Sequence, residues 1–177
     1  GLLKMVKPEL DVVVHKDYGL PTLAPVDLRK RLIVAVSYSG NTEETVDGFL
    51  EARKRHLPLA VIATGGKLLA LAKQHRVPYI ELPITGIQPR MATGFQFQAL
   101  ATLFGLGSIR RETALLARTL APAVLRTSGK ALAQKLHGQV PVIYSSARNA
   151  AIAYLWKITM NETGKIPAFA NVFSELN

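Results

Sequence analysis

The sequence contains no cysteine. That excludes a disulfide scaffold, thiolate zinc sites and cysteine nucleophiles, and makes a cytoplasmic protein the simplest expectation. Long apolar runs are also missing: none reaches the roughly 18 residues needed to span a bilayer, so no membrane partner is expected. The opening "GLLKMVKPELDVVVH" does not have the basic, apolar and cleavage-site order of a signal peptide. Acidic residues are scarce, 12 against 22 lysines and arginines, for a formal net charge of +10. Such a balance raises nucleic acid as a partner. The cations, however, come singly or in short groups such as Arg29, Lys30, Arg31 and Arg110, Arg111, with no aromatic residues interleaved. A field that attracts anionic metabolites accounts for the same sign, and no nucleic-acid partner is expected. His15, His56, His75 and His137 are scattered without metal-ligand spacing, so neither a metal nor a cofactor is expected.

What remains is a chain of 177 residues, 49% hydrophobic and 19% charged, long enough for one α/β domain or one and part of a second. "DVVVH" (Asp11–His15) reads as a strand, followed by a Gly-Leu-Pro turn. Leu32–Val36, Leu57–Gly66 and Val77–Pro83 read as further strands, nearly continuous in apolar residues, as a sheet covered on both faces requires. Between them, Thr42–Arg55 has a helical period with Val46, Phe49 and Leu50 on one face, and Asn41 with Glu44 fits a capping box. "KLLALAKQHR" is a second, shorter helix. Strand and helix alternating with short connections predict a parallel sheet with right-handed crossovers. "FQFQALATLFGLG" and Arg111–Leu136 then read as two helices, interrupted by Gly105, Gly107 and "IRRE", with Pro122 kinking or dividing the second. The strand, small-polar turn and helix order begins again at Val140–Tyr144, Ser145, Ser146 and Ala150–Asn161, with a closing strand at Ala168–Phe173. On helix 150–161, core packing is the expected role of Tyr154 and Trp156, and a surface position that of Lys157. Ser145 and Ser146 either cap this helix or touch a ligand.

The stretch "VSYSGNTEET" (Val36–Thr45) carries the chemistry. It follows a strand and opens a helix, which in open α/β sheets is where ligands bind. Backbone N–H groups of a first helical turn, the positive end of its dipole and several hydroxyls together make an anion site. No lysine is embedded in it, so it is not a Walker loop, and its glycines do not match a dinucleotide fingerprint. A small phosphoester fits. The bland alternative is helix capping, which needs one such side chain, whereas five polar residues crowd between Ser37 and Thr42. Glu43 and Glu44 favour the helix dipole but repel a phosphate, so their side chains are expected to point away.

"VAVSYSGNTEET" resembles the SIS (sugar isomerase) domain signature. "WKITMNETGKIPAFANVFSELN" is similar to the second half of bacterial and archaeal bifunctional phosphoglucose/phosphomannose isomerases, whose pattern is close to "NENAKVPAFxNVxPELNHNE". "HKDYGLP" and "QPRMA" also stand where that family has similar segments, so the resemblance spans nearly the whole chain. It implies that Ser37, Ser39 and Thr42 bind the substrate phosphate, that Arg90 lies beside the reacting carbons, and that Glu162 is the catalytic base. It also implies a homodimer. The family's Gly-Gly-Ser turn falls before Gly1, and its ring-opening histidine after Asn177. A C-terminal region with a threonine and a lysine near the substrate is missing too, so the chain is expected to be part of an enzyme about twice single-domain length.

Proton transfer between adjacent carbons through an enediolate needs one base that holds and returns the proton, and a cation or donor for the oxyanion. Glu162 and Arg90 have the right chemistry for these roles. By itself Glu162 reads as a solvated helix-end carboxylate; the motif around it gives it a function.

The expectation is therefore a doubly wound parallel α/β sheet flanked by helices. One SIS-type unit is expected over residues 1–108, and connecting helices with the start of a second over 109–177. The expected activity is cofactor-free isomerisation of glucose 6-phosphate, and of mannose 6-phosphate. One alternative is a non-catalytic SIS module that senses a phosphosugar. Another is an amidotransferase isomerase half, for which the expected lysine and glutamate arrangement is not found.

Overall fold

The computed structural model describes residues 2–173. The "SELN" part of the C-terminal motif lies outside the described residues. In chain order the elements are α1 (Leu2–Val6), α2 (Pro25–Arg29), β1 (Ile33–Val36), α3 (Glu43–Lys54), β2 (Leu59–Ala63), α4 (Gly66–Gln74), β3 (Tyr79–Glu81) and α5 (Thr93–Leu103). There follow α6 (Gly107–Thr119), α7 (Pro122–Leu136), β4 (Val142–Ser145), α8 (Ala150–Thr159) and β5 (Phe169–Val172). They fall into two compact units, one of Val12–Leu106 and one of Gly1–Asp11 with Gly107–Asn177.

In the unit Val12–Leu106 the strands pair in the order β1-β2-β3, all parallel, with Ile33 opposite Leu59 and Ile62 opposite Ile80. Every residue of β2 is buried, as its uninterrupted apolar run requires of a central strand. Because successive side chains of a strand point to opposite faces, β2 serves two cores. Leu59, Val61 and Ala63 pack with Leu28, Val46, Phe49, Ala52, Leu68 and Ala72, the inward stripes of α2, α3 and α4. Ile62 packs on the other face with Ala99, Phe95 and Leu100 of α5. This is an α/β layer with helices on both faces of a parallel sheet.

The other unit contains a two-stranded parallel sheet, β4-β5, with Val142 opposite Phe169, against which α8 lies. Tyr144 and Phe173 stack with ring centroids 6.0 Å apart.

Several expectations are corrected. Asp11–His15 forms no strand: Val13 and Val14 are exposed, and β-branched residues make a strand only where a neighbouring edge accepts their backbone groups. Leu50 is exposed, since the buried stripe of α3 runs through Val46, Phe49 and Ala52. "IRRE" does not interrupt a helix but lies in the first turns of α6, and Gly105, at φ +68, ends α5. Pro122 does divide the expected second helix, starting α7 at a position where its missing N–H costs nothing. Tyr154 and Trp156 are half exposed rather than core, because Ala153 is the residue of α8 that faces inward. Lys157 is half-buried, its Nζ 5.7 Å from the Tyr154 ring centroid.

Candidate functional site

Parallel pairing places the carboxyl ends of β1 and β2 together, so the turn Ser37–Thr42 and the loop Thr64–Gly66 emerge side by side. They are bonded to each other. Tyr38 O accepts both the N–H of Thr64 at 2.9 Å and its hydroxyl at 2.6 Å. Gly40 O accepts the N–H of Leu68 at 2.9 Å, and Asn41 Oδ1 that of Lys67 at 3.0 Å. The approach is close enough to demand glycine. Gly40 has φ +73 and Gly66 φ +66; a Cβ on Gly40 would land on the Gly65 carbonyl, and one on Gly66 would meet Asn41 Oδ1 at 2.7 Å.

Within the turn, Ser37 is 5% exposed, its Oγ accepting the Gly40 N–H at 3.0 Å and sharing a hydrogen with Thr42 Oγ1 at 2.8 Å. Ser39 Oγ accepts the Asn41 N–H at 3.2 Å. Ser39 and Thr42 are exposed. Thr42 occupies the N-cap position of α3, yet its side chain makes no capping hydrogen bond to the first N–H groups of that helix. The crowd of hydroxyls is thus not spent on capping. Nor does the capping box between Asn41 and Glu44 form, because the helix starts one residue later than that motif needs and the Asn41 side chain bonds α4 instead. The amino end of α3, with its unpaired amides and positive dipole, stands among three hydroxyl side chains.

The carboxylates of α3 are held by another segment. Tyr18 donates its hydroxyl to Glu43 Oε2 at 3.2 Å, and the Gly19 N–H bonds Asp47 Oδ2 at 2.7 Å. The Glu43 carboxylate, by this hydrogen bond and by its charge, raises the Tyr18 phenol above its ordinary value of 10.0, with the charges of Glu44 and Asp47 adding to the effect.

Ser37, Ser39 and Thr42 are therefore brought together by the structure. Arg90, in the same unit, is half-buried in the one-turn 3-10 helix Pro89–Ala92 that leads into α5, and its carbonyl accepts the Thr93 hydroxyl at 3.2 Å. Glu162 belongs to the other unit. It is exposed and lies in a single π-helical turn, Met160–Gly164, that ends α8 and is closed by the Lys165 N–H on the Met160 carbonyl. The sharp reversal expected at Gly164 is made by Lys165, at φ +55. π-Turns are uncommon and recur at functional sites. Neither Ser145 nor Ser146 caps α8; Ser145 Oγ bonds the Ser146 carbonyl at 3.1 Å.

A shallow cleft of about 440 Å³, lined by Ala72, Lys73, Arg76, Val77, Pro78 and Tyr79, lies at the amino end of β3, the opposite edge of the sheet from the serine turn. There Lys73 is paired with Glu81 at 3.1 Å and sits 5.5 Å from the Tyr79 ring centroid. Among the described residues no three His, Cys, Asp or Glu side chains gather to hold a metal ion, and no helix is long and apolar enough to cross a membrane.

Sequence reasoning found the hydroxyls but not the partners that hold them. Asn41 was legible as a helix cap, and Thr64 and Gly66 as the end of a strand. The available signal was the glycine pair of "ATGG" behind the second strand, a place where backbones approach closely.

Residues 126–177 match the family described as bacterial phospho-glucose isomerase C-terminal SIS domain. A bifunctional phosphoglucose/phosphomannose isomerase of Caldicellulosiruptor bescii is 40% identical over 185 residues, covering 97% of this chain and 53% of the relative. One of Aquifex aeolicus is 37% identical over 164 residues, covering 93% and 50%. A D-glucosamine-6-phosphate 4-epimerase of Sulfolobus acidocaldarius is 34% identical over 152 residues, covering 84% and 49%. The chain spans about half the length of the curated relatives it matches. A serine turn set on an α/β sheet, and likeness running along nearly all of these residues, lead to one assignment: the chain belongs to the SIS-domain bifunctional phosphoglucose/phosphomannose isomerase family.

Proposed function

We propose that this chain serves the interconversion of glucose 6-phosphate, and of mannose 6-phosphate, with fructose 6-phosphate through an enediolate. The observation that carries the reading is a helix amino terminus surrounded by three hydroxyl side chains and capped by none of them. A phosphate accepts from just such a set, gaining charge-assisted hydrogen bonds that a neutral ligand does not. Ser39 donates to it from the exposed rim, and Ser37 and Thr42, which share one hydrogen between them, leave the other for the phosphate. Glu162 takes the proton from C2 and returns it to C1. Arg90 stabilises the oxyanion of the enediolate, its guanidinium remaining charged throughout. No cofactor enters these steps. Support for Glu162 and Arg90 comes from the motifs "MNETGKIPAFANVF" and "QPRMA" in which they stand.

The same reading takes the fold as doubly wound, with a second SIS-type unit starting within residues 109–177, and the enzyme as a cytoplasmic homodimer of hexose phosphate metabolism. These parts rest on the family resemblance.

Glu162→Gln keeps shape and removes the base. In the full-length protein isomerisation falls by about two to four orders of magnitude, the range general-base catalysis supplies, while substrate affinity barely changes. Exchange of the C2 proton with deuterated solvent is lost with it. Turnover within about tenfold of the unsubstituted enzyme, well short of that range, overturns the assignment of Glu162. The Sulfolobus relative gives a second reading, epimerisation at C4, in which the unsubstituted protein binds a phosphosugar and exchanges no C2 proton.

A further inference from the structure

Two helix amino termini lie next to each other at this edge of the sheet, and the chain treats them differently. At α4 the first amides are taken by oxygen atoms of the serine turn: Lys67 N–H by Asn41 Oδ1 and Leu68 N–H by Gly40 O. At α3 the N-cap residue Thr42 makes no such side-chain bond. The turn thus uses α4 as an anchor and leaves α3 to face a ligand.

Asn41 stands at the junction. Its side chain bonds α4 while its own N–H bonds Ser39 Oγ at 3.2 Å. A serine oxygen that accepts a backbone hydrogen has its own hydrogen left to donate elsewhere, and Ser39 is exposed. Thr64 fixes the other end of the turn. Its N–H and hydroxyl converge on one acceptor, Tyr38 O, between Ser37 and Ser39. Both residues therefore set where the Ser39 hydroxyl is carried and which way it points.

We propose that Asn41 and Thr64 are positioning residues for phosphate recognition, acting through Ser39 and the backbone of the turn. The inference rests on the phosphate reading of that turn and adds a second loop, Thr64–Gly66, to its machinery. It also bears on the absent lysine: the turn is stiffened by neutral hydrogen bonds to the adjacent loop rather than organised around an embedded cation.

The test uses the full-length protein with four variants. Thr64→Val keeps the side-chain shape and deletes the hydroxyl; Thr64→Ser restores it; Asn41→Ala removes the bond to α4; Ser39→Ala removes the proposed donor. The backbone bonds Thr64 N–H to Tyr38 O and Leu68 N–H to Gly40 O persist in all of them, and a thermal melt confirms folding at the assay temperature. Calorimetric affinity for inorganic phosphate and for glucose 6-phosphate falls about three- to tenfold in Asn41→Ala and Thr64→Val, the loss expected for one neutral hydrogen bond. In kinetics the loss appears in KM rather than kcat, and Thr64→Ser recovers it. Unchanged phosphate affinity in both Asn41→Ala and Thr64→Val overturns the inference, as does Thr64→Ser binding no better than Thr64→Val. If Ser39→Ala alone weakens binding, the positioning role falls and the phosphate reading stands. If Ser39→Ala binds as tightly as the parent, the phosphate reading falls and the inference with it.

Discussion

Tyr18 and Glu43 stand 25 residues apart, and their side chains meet at 3.2 Å on the surface beside the serine turn. The contact has a chemical consequence for the site. A carboxylate at the first position of α3 opposes a bound phosphate, and here it is engaged by a phenol from the "KDYGLP" segment while Asp47 is engaged by the next backbone N–H. The expectation that the acidic residues of this turn face elsewhere thus gains, for Glu43, a named partner that no local pattern reveals. A phenol raised above its ordinary value is neutral in the fold and titrates later than in the unfolded chain, where the value is about 10. Its contribution to stability is therefore complete below about pH 10 and is lost as pH climbs through the raised folded value. Tyr18→Phe removes that dependence. The urea midpoint of the unsubstituted chain falls more between about pH 9 and pH 11, on either side of the ordinary phenol value, than that of Tyr18→Phe. Equal slopes would mean that Glu43 does not engage the phenol in solution.

Helix α3 shows how an element answers to its neighbours. Its sequence places Gly48 in mid-helix, where glycine costs about 1 kcal/mol relative to alanine. The Gly19 carbonyl explains the choice, since a Cβ at position 48 would meet it at 2.9 Å. Gly48→Ala gains propensity and must displace the backbone that carries Tyr18 and Gly19. Stability therefore falls rather than rising by the roughly 1 kcal/mol that propensity alone gives, as chemical denaturation can measure. A stabilised variant would show that the 16–20 segment does not seat on α3. Helix ends tell a similar story. α3 and α4 both close with a left-handed residue that is not glycine, His56 at φ +55 and Arg76 at φ +54, and with the next N–H reaching back to the helix, Leu57 to Ala52 and Val77 to Ala72. This is the Schellman arrangement, and the burial of Leu57 in the core beside Ala52 offsets the cost of the left-handed residue. Glycine takes the corresponding left-handed place after α5, at Gly105, and after α7, at Gly138.

At the scale of the molecule the net charge of +10 is spread rather than focused. Arg110, Arg111, Arg118, Arg126, Lys130 and Lys135 line α6 and α7, whose surfaces are almost wholly exposed, with Glu112 among them. Such a field attracts anions without reading a sequence. Binding to duplex DNA is accordingly weak and lost by roughly 0.15 M salt, whereas kcat/KM for a hexose phosphate declines only gradually with ionic strength. A sequence-selective DNA complex at that salt, seen in a mobility-shift titration, would replace the enzyme reading with a regulatory one.

The sequence by itself determined the α/β class, the three paired strands of the first sheet, α3 and α4, and the place of the serine turn. Each of these is written in a local period or in the residue types at a strand end, and local patterns survive without knowledge of neighbours. It failed at Asp11–His15, whose β-branched run has no ladder, because a strand is a property of two segments and the run describes one. It failed at the capping box, because the Asn41 side chain had a choice between its own helix and α4, and only the packing of β1 beside β2 puts the Lys67 N–H at 3.0 Å. The same tertiary approach decided that Gly40 and Gly66 must be glycine, that Thr64 belongs to the turn, and that the hydroxyls of Ser39 and Thr42 remain on the exposed rim. A hydrogen bond between residues far apart in the chain costs the sequence nothing to encode and leaves no period behind. The serine turn could be located from the chain alone, and what holds it in shape could be read only once the two loops were side by side.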